Sequence, residues 1–190
     1  MYLYFIDKFI VQTLTVIIQK KTLFKDVIVH LKTFHKDDGF MEYEPLVKGE
    51  ANTFLTKKPT ANLGLNNGSF WVPAQLKTSC GNIFFSIGKT FKEIVFLWII
   101  FMGSADEAKK FSCTLSISNQ IGQKFIYSGP VHTLDDNFDD IIASGSLMIG
   151  VSAAKRSLND RKQLEVEITV KNLKEEAKDD DMESGVSEGE

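Results

Sequence analysis

The feature that most constrains the fold is an unbroken run of nine apolar residues at positions 94–102, IVFLWIIFM. Such a run is too short to cross a bilayer, which takes about 20 residues of helix. Its β-branched and aromatic residues are typical of a strand that is buried on both faces. Gly103 ends the run, and Ser104 can cap a short helix whose first turn holds Asp106 and Glu107. The run therefore predicts a core strand followed by one helical turn.

Two later segments, 111–118 and 164–170, alternate between apolar and polar residues, as half-buried strands do. Further short strands are expected at 68–72, 80–87, 123–128 and 147–151. Residues 41–58 are interrupted by Pro45 and Gly49, and we expect a loop or a short edge strand there. The pattern predicts a mainly β fold, an antiparallel β-sandwich of about seven or eight strands with a few short helices.

The predicted helices are short. Apolar residues recur at three- and four-residue spacing in residues 22–35, which indicates an amphipathic helix. A second helix is expected at 134–143, with Asp135 and Asp136 as its caps, and a third at 152–158. These helices would cover or connect the sheets.

The net charge of −3 is unevenly distributed, because residues 174–190 carry −6 and the remainder carries +3. That acidic tail is low in aromatic residues, and we expect it to be disordered. No strongly basic stripe occurs, so we do not expect a nucleic-acid partner. Residues 1–19 are apolar but broken by Asp7, Lys8 and Gln12, which does not suit a secretory signal and suits a membrane anchor poorly. We expect a cytoplasmic location, since two cysteines form no disulfide framework.

No catalytic constellation is visible. Cys80 and Cys113 are expected inside strands, where a buried cysteine behaves as a small apolar residue. His132 stands near Asp135 and Asp136, and we interpret it as a loop histidine beside helix caps rather than as a general base.

Several segments between residues 22 and 172 also carry a family resemblance. They are 30–36 (HLKTFHK), 70–72 (FWV), 79–85 (SCGNIFF), 96–103, 104–110, 111–117, 125–127 and 164–170. In this order they resemble the C-terminal part of the seven-in-absentia family of RING ubiquitin ligases. In that family the second half of a zinc finger precedes a TRAF-like β-sandwich that binds substrates.

The chain departs from that family in two ways. A RING needs about eight Cys and His ligands, whereas the chain has two Cys and three His. His30 and His35 fit the family's histidine pair, but residues 1–29 contain no cysteine to close a zinc site. Zinc would therefore need ligands from elsewhere, and we expect no cofactor. The resemblance implies a RING-less chain with a degenerate zinc finger and no ligase activity by itself.

The resemblance divides the chain into four parts. Residues 1–21 form an apolar segment outside the family pattern, and residues 22–60 a degenerate zinc-finger helix with a connector. Residues 61–173 form the TRAF-like sandwich, and residues 174–190 the acidic tail. Whether the first segment is a native start, an anchor or unrelated sequence stays open.

The function that the resemblance implies is protein binding, through a groove where an extended peptide adds a strand to a sheet edge. The residues that would line this groove are Leu115, Ile117, Phe125, Tyr127 and Ser128. Leu115 and Ile117 also fit ordinary core positions, whereas an aromatic residue with a polar tip, such as Tyr127, is a common interface anchor.

The family also pairs through this domain, so the resemblance implies a homodimer or a heterodimer with a RING-bearing relative. The chain would then act as an adaptor or a competitor in the ubiquitin–proteasome pathway. Two alternatives stay open. One is a fragment of a zinc-binding RING ligase that lacks its N-terminus, and the other is a membrane-anchored interaction protein.

Overall fold

The structure is a computed structural model, and it describes residues 28–29, 32–33, 40–49, 51–59, 69–71 and 73–173. The strands are β1 (Met41–Tyr43), β2 (Ala51–Pro59), β3 (Ser69–Phe70), β4 (Ala74–Lys77), β5 (Ile83–Phe91), β6 (Ile94–Phe101), β7 (Phe111–Ser118), β8 (Lys124–Pro130), β9 (Leu147–Gly150) and β10 (Gln163–Asn172). The helices between them are α1 (Ala105–Ala108), α2 (Phe138–Ser144) and α3 (Val151–Arg156).

The strands form two sheets. Sheet A has the order β1-β4-β5-β6-β9, with β3 also pairing with β5, and sheet B has the order β2-β10-β7-β8. All pairs are antiparallel except β1 with β4. Both sheets contribute to one apolar core, which includes Trp71, Phe84, Leu97, Leu115 and Ile168. The predicted mainly β sandwich with short helices is confirmed, although the described residues form more strands than expected.

Strand β6 is buried on both faces, as its apolar run predicts. Leu97 and Ile99 belong to the core between the sheets, whereas Phe96 and Trp98 belong to a second apolar cluster on the outer face of sheet A. Helix α2 covers that outer face through Ile141. Burying one such side chain stabilises the fold by roughly 1.5–3 kcal/mol. Strand β6 therefore stabilises both the core between the sheets and the cluster on the outer face of sheet A.

Helix α1 begins where the sequence predicts. The Ser104 hydroxyl accepts a hydrogen bond from the Glu107 N–H at 3.3 Å, and the Glu107 carboxylate accepts one from the Ser104 N–H at 3.0 Å. This reciprocal capping box satisfies two backbone donors that the short helix would otherwise leave open. The apolar run, Gly103 and the cap therefore fold as expected.

Helix α2 begins later than predicted. Its N-cap is Asn137, whose side chain accepts a hydrogen bond from the Asp139 N–H. Asp136 instead accepts hydrogen bonds from the Thr133 backbone and hydroxyl, both at 3.0 Å. The prediction of Asp135 and Asp136 as helix caps is therefore wrong, because Asp136 closes the turn that precedes the helix.

Residues 41–58, predicted as a loop or short edge strand, contain all but the last residue of the nine-residue strand β2, which pairs with β10 along its length. The sheets thus begin at β1, before residue 61. Asn52, Phe54, Thr56 and Lys58 point into the sandwich and are buried. Three of these four inward positions are polar, so the sequence lacks the apolar alternation that identifies a half-buried strand.

Cys80 is not in a strand. It is exposed in the turn between β4 and β5, where the Thr78 N–H donates to the Asn82 carbonyl at 2.9 Å. Gly81 has a φ of 85° in this turn, a conformation that favours glycine. Cys113, by contrast, is buried in β7 as predicted.

The predicted helix at 22–35 lies mostly outside the described residues. Ile28, Val29, Lys32 and Thr33 are described, and all four are helical. Ile28 packs against the apolar cluster on the outer face of sheet A. Lys32 forms a salt bridge of 2.8 Å with Glu42 of β1.

Candidate functional site

Strand β8 forms an edge of sheet B. Among the described residues it pairs only with β7, in the antiparallel register that places Ser116 opposite Ile126. The hairpin that joins the two strands is closed by a 3.0 Å hydrogen bond from the Asn119 N–H to the Gln123 carbonyl. Opposed residues of an antiparallel pair alternate between bonded and non-bonded pairs. The backbone groups of Lys124, Ile126 and Ser128 therefore point away from β7.

Pro130 occupies the next outward position and marks the end of this edge. A proline has no N–H, so its place there costs the sheet no hydrogen bond. After it the chain crosses to sheet A, where the His132 N–H donates to the Ile99 carbonyl at 3.0 Å. The open edge is therefore confined to residues 124–128.

The other edge of sheet B is partly covered. The Leu46 N–H donates to the Thr53 carbonyl at 2.7 Å, and the Thr53 N–H donates to the Val47 carbonyl at 3.3 Å. These bonds occupy outward backbone groups of β2. Within the described part of sheet B, β8 is thus the edge with the longer unpaired stretch.

The outer side of β8 carries an apolar residue between polar ones. Ile126 is 59% exposed, and Lys124 and Ser128 on either side of it are exposed as well. The Ser128 hydroxyl lies 2.9 Å from the Thr114 hydroxyl across the strand pair. An exposed isoleucine on an open edge is a surface on which another strand can pack.

The five residues predicted to contact a partner lie together on β7 and β8 but differ in exposure. Leu115 and Ile117 are completely buried in the core between the sheets. Phe125 and Tyr127 point inward, are half-buried and pack against that core. Ser128 is exposed on the outer face of sheet B. Leu115 and Ile117 thus belong to the core beside the edge strand, and they stabilise β7, to which β8 is hydrogen-bonded.

The Tyr127 ring fills the space beside Gly129, two residues further along the same side of β8. Burial raises the pKa of the Tyr127 hydroxyl, and the nearby Cys113 thiol adds to that rise. Burial also raises the pKa of the Cys113 thiol to about 12. The Cys113 Sγ lies 3.5 Å from the Pro130 carbonyl oxygen. Both groups are therefore neutral at physiological pH and serve as packing residues.

His30 and His35, predicted as remnants of a zinc site, lie outside the described residues. In the described ranges, no group of three or more His, Cys, Asp or Glu side chains is placed to hold a metal ion. In the same ranges, no helix has the length and apolar content needed to cross a membrane.

His132 is held between two acceptors. Its Nδ1 lies 3.1 Å from Asp136 Oδ2, and its Nε2 lies 3.0 Å from the Gly145 carbonyl oxygen. Partial burial alone would raise the pKa of Asp136, but hydrogen bonds from Thr133 and His132 outweigh it and lower that pKa. The imidazole thus connects the segments before and after α2.

Two features of the described residues are not predicted by the sequence. Ile126 is the exposed apolar residue of β8, and its signal is its position between the inward-facing Phe125 and Tyr127. Lys58 is buried, its Nζ donates to the Ser86 carbonyl at 3.4 Å, and burial lowers its pKa to about 7. The sequence gives no sign of this burial, since lysine is almost never buried.

The comparisons with known proteins identify no family. No protein-family model matches the sequence, and no curated protein matches it.

Proposed function

We propose that the chain is a protein-binding module that takes up an extended peptide as an additional strand along β8. The observation that carries this proposal is the outward edge of β8. There the backbone groups of Lys124, Ile126 and Ser128 face no other strand among the described residues, and the exposed Ile126 lies at the centre. Added strands gain affinity from main-chain hydrogen bonds and selectivity from alternate side chains. Both are available here.

The resemblance to the seven-in-absentia family supports the same edge and adds a biological setting. It suggests a RING-less adaptor or competitor in the ubiquitin pathway, paired with itself or with a RING-bearing relative. This setting rests on the resemblance alone, whereas peptide binding also rests on the geometry of β8.

A single substitution separates strand addition from other modes of binding. Ile126→Pro removes an N–H that points away from β7, so it blocks an incoming strand and leaves the bonds to β7 in place. Ile126→Thr is the matched control, because threonine keeps the N–H and the β-branched shape. The binding assay is selection from a displayed library of random peptides, followed by titration of the selected sequences.

We expect peptides that bind the native chain and the Ile126→Thr variant, and lose at least tenfold in affinity for the Ile126→Pro variant. Circular dichroism and thermal unfolding check that the proline variant keeps its fold. Selected peptides that bind the proline variant equally well would place binding on another surface. The absence of any selected peptide would overturn the proposal.

A further inference from the structure

The outward edge of β8 presents three side chains on one face of sheet B, and each sets a different requirement on an incoming strand. Lys124, Ile126 and Ser128 alternate with the inward-facing residues of β8, so all three lie on the outer face. A strand paired with β8 would place its own alternate side chains directly opposite them, with Cβ atoms about 5 Å apart.

Ser128 is the last member of a row of hydroxyl groups that crosses all four strands of sheet B. The register aligns Thr53 with Thr169, Thr169 with Thr114, and Thr114 with Ser128. The hydroxyls of Thr53 and Thr169 lie 3.1 Å apart, and those of Thr114 and Ser128 lie 2.9 Å apart. A hydroxyl donates one hydrogen bond and accepts others. A serine or threonine opposite Ser128 would therefore continue the row.

The neighbours of Ile126 leave much of its side chain exposed. Its cross-strand partner is Ser116, and the next residue in that row is Glu167. Neither is apolar, so 59% of Ile126 stays exposed to solvent. A β-branched aliphatic residue on an added strand would bury this surface, and such pairs stabilise sheets.

Lys124 supplies the charge at the start of β8. It is exposed, faces Ser118 across the pair, and forms no salt bridge with the described residues. An acidic side chain opposite would form a cross-strand ion pair, whereas a basic one would be repelled. The three outward positions thus differ in chemistry: a hydroxyl, an aliphatic surface and a positive charge.

The direction of the incoming strand follows from the sheet. Every pair in sheet B is antiparallel, and antiparallel pairing is slightly more stable per residue than parallel pairing. In that direction the N-terminal residue of the partner lies opposite Ser128 and its C-terminal residue lies opposite Lys124.

We propose that the partner of β8 is an extended peptide with Ser or Thr, then Val or Ile, then Asp or Glu at alternate positions, running from N to C terminus. This inference rests on the proposed function, because it specifies which strand the same edge selects. The residues between these positions face the inner side of β8, and the pattern leaves them unspecified.

The test is fluorescence anisotropy with the full chain and two labelled peptides. The matched peptide is Gly-Thr-Ser-Thr-Val-Thr-Glu-Thr-Gly. The charge-reversed peptide has the same sequence with Lys in place of Glu. We expect the matched peptide to bind about three- to tenfold more tightly, since one cross-strand charge pair is exchanged for a repulsion. The variant Lys124→Glu should invert this preference, because it swaps the charge on the protein.

The outcomes distinguish the two proposals. Both proposals are supported if binding of the matched peptide weakens with Ile126→Pro and if the preference for the matched over the charge-reversed peptide inverts with Lys124→Glu. A second outcome is that the two peptides bind equally well to the native chain and to the Lys124→Glu variant, with binding still lost in Ile126→Pro. That result would leave the proposed function standing and overturn the inferred pattern. If neither peptide binds and the displayed library also yields none, the proposed function fails, and the inferred pattern fails with it. If the library yields peptides that lack the pattern, only the inference fails.

Discussion

The ring of Tyr127 lies against Gly129, in the space that a β-carbon at position 129 would occupy. Gly129→Ala would therefore push the ring away from the core side of β8. We expect a loss of about 1–3 kcal/mol in the free energy of unfolding, the usual cost of overpacking. Urea denaturation monitored by fluorescence measures this loss.

Gly150→Ala is the control for that substitution. A β-carbon at Gly150 meets no atom within 4 Å, and the φ of −59° there suits alanine. We expect a change below about 0.5 kcal/mol. Equal effects of the two substitutions would show that Tyr127 does not constrain position 129.

Burial of Lys58 makes stability depend on pH. Its pKa falls from 10.5 to about 7 in the folded chain, so above pH 7 the unfolded state binds a proton that the folded state has lost. The free energy of unfolding therefore rises with pH, by roughly 1–2 kcal/mol between pH 7 and 8.5. Urea denaturation at these two pH values measures the rise. The interval ends below pH 9, where the Cys113 thiol of the unfolded chain begins to ionise.

Lys58→Met should raise the free energy of unfolding at pH 7 by about 1–3 kcal/mol and remove most of that pH dependence, because it replaces a buried ionisable group by an apolar one. Lys57→Met is the matched control. Lys57 is exposed, and its ion pair with Glu165 spans 3.8 Å, so its loss should change stability by less than about 1 kcal/mol. An unchanged pH dependence in Lys58→Met would contradict the assignment.

Substitutions of Leu115 and Ile126 distinguish a core residue from a residue of the binding edge. Leu115 is fully buried, and Leu115→Ala should cost about 2–5 kcal/mol of stability by leaving a cavity. Ile126→Ala should change stability by less than about 0.5 kcal/mol and weaken peptide binding. Thermal or urea denaturation of both variants checks this contrast, and comparable stability losses would show that Ile126 belongs to the core.

The two cysteines should differ in reactivity toward a thiol reagent such as Ellman's reagent. Cys80 is exposed, whereas Cys113 is buried with its pKa raised to about 12, and the thiolate is the reactive form. We expect one thiol per chain to react quickly in the native protein and both in denaturant. Cys80→Ser should abolish the fast reaction, and fast reaction of both thiols in the native chain would contradict the burial of Cys113.

The sequence predicts the parts of the fold whose local signals agree with their final environment. The apolar run becomes β6, the alternating run at 164–170 becomes β10, and Ser104 caps α1. Each of these signals lies within a short stretch of sequence and does not depend on contacts with distant residues. The hairpin of β7 and β8, and so the candidate edge, follows for the same reason.

The missed features depend on contacts between distant residues. Lys58 is inward in β2 because Thr56 and Phe54 pair with β10 more than a hundred residues later. Cys80 is the exception, because its exposure depends on a local turn between Thr78 and Asn82, with Gly81 at a positive φ. The exposure of Ile126 follows from its neighbours on the outer face of sheet B, Ser116 and Glu167, which a pattern within residues 123–128 does not encode.

The position of β10 in sheet B also determines when the sandwich can form during synthesis. It is the last of the described strands, yet it lies between β2 and β7 and bonds to both. Until the ribosome has delivered residues 163–172, β2 has no neighbouring strand among the described strands of sheet B, and one face of β6 has no complete layer to cover it. Contacts of such sequence separation close slowly, so the inner face of β6 stays incompletely covered in the nascent chain until translation of the sandwich is complete. A premature stop before residue 163 would then yield an aggregation-prone chain rather than a smaller domain.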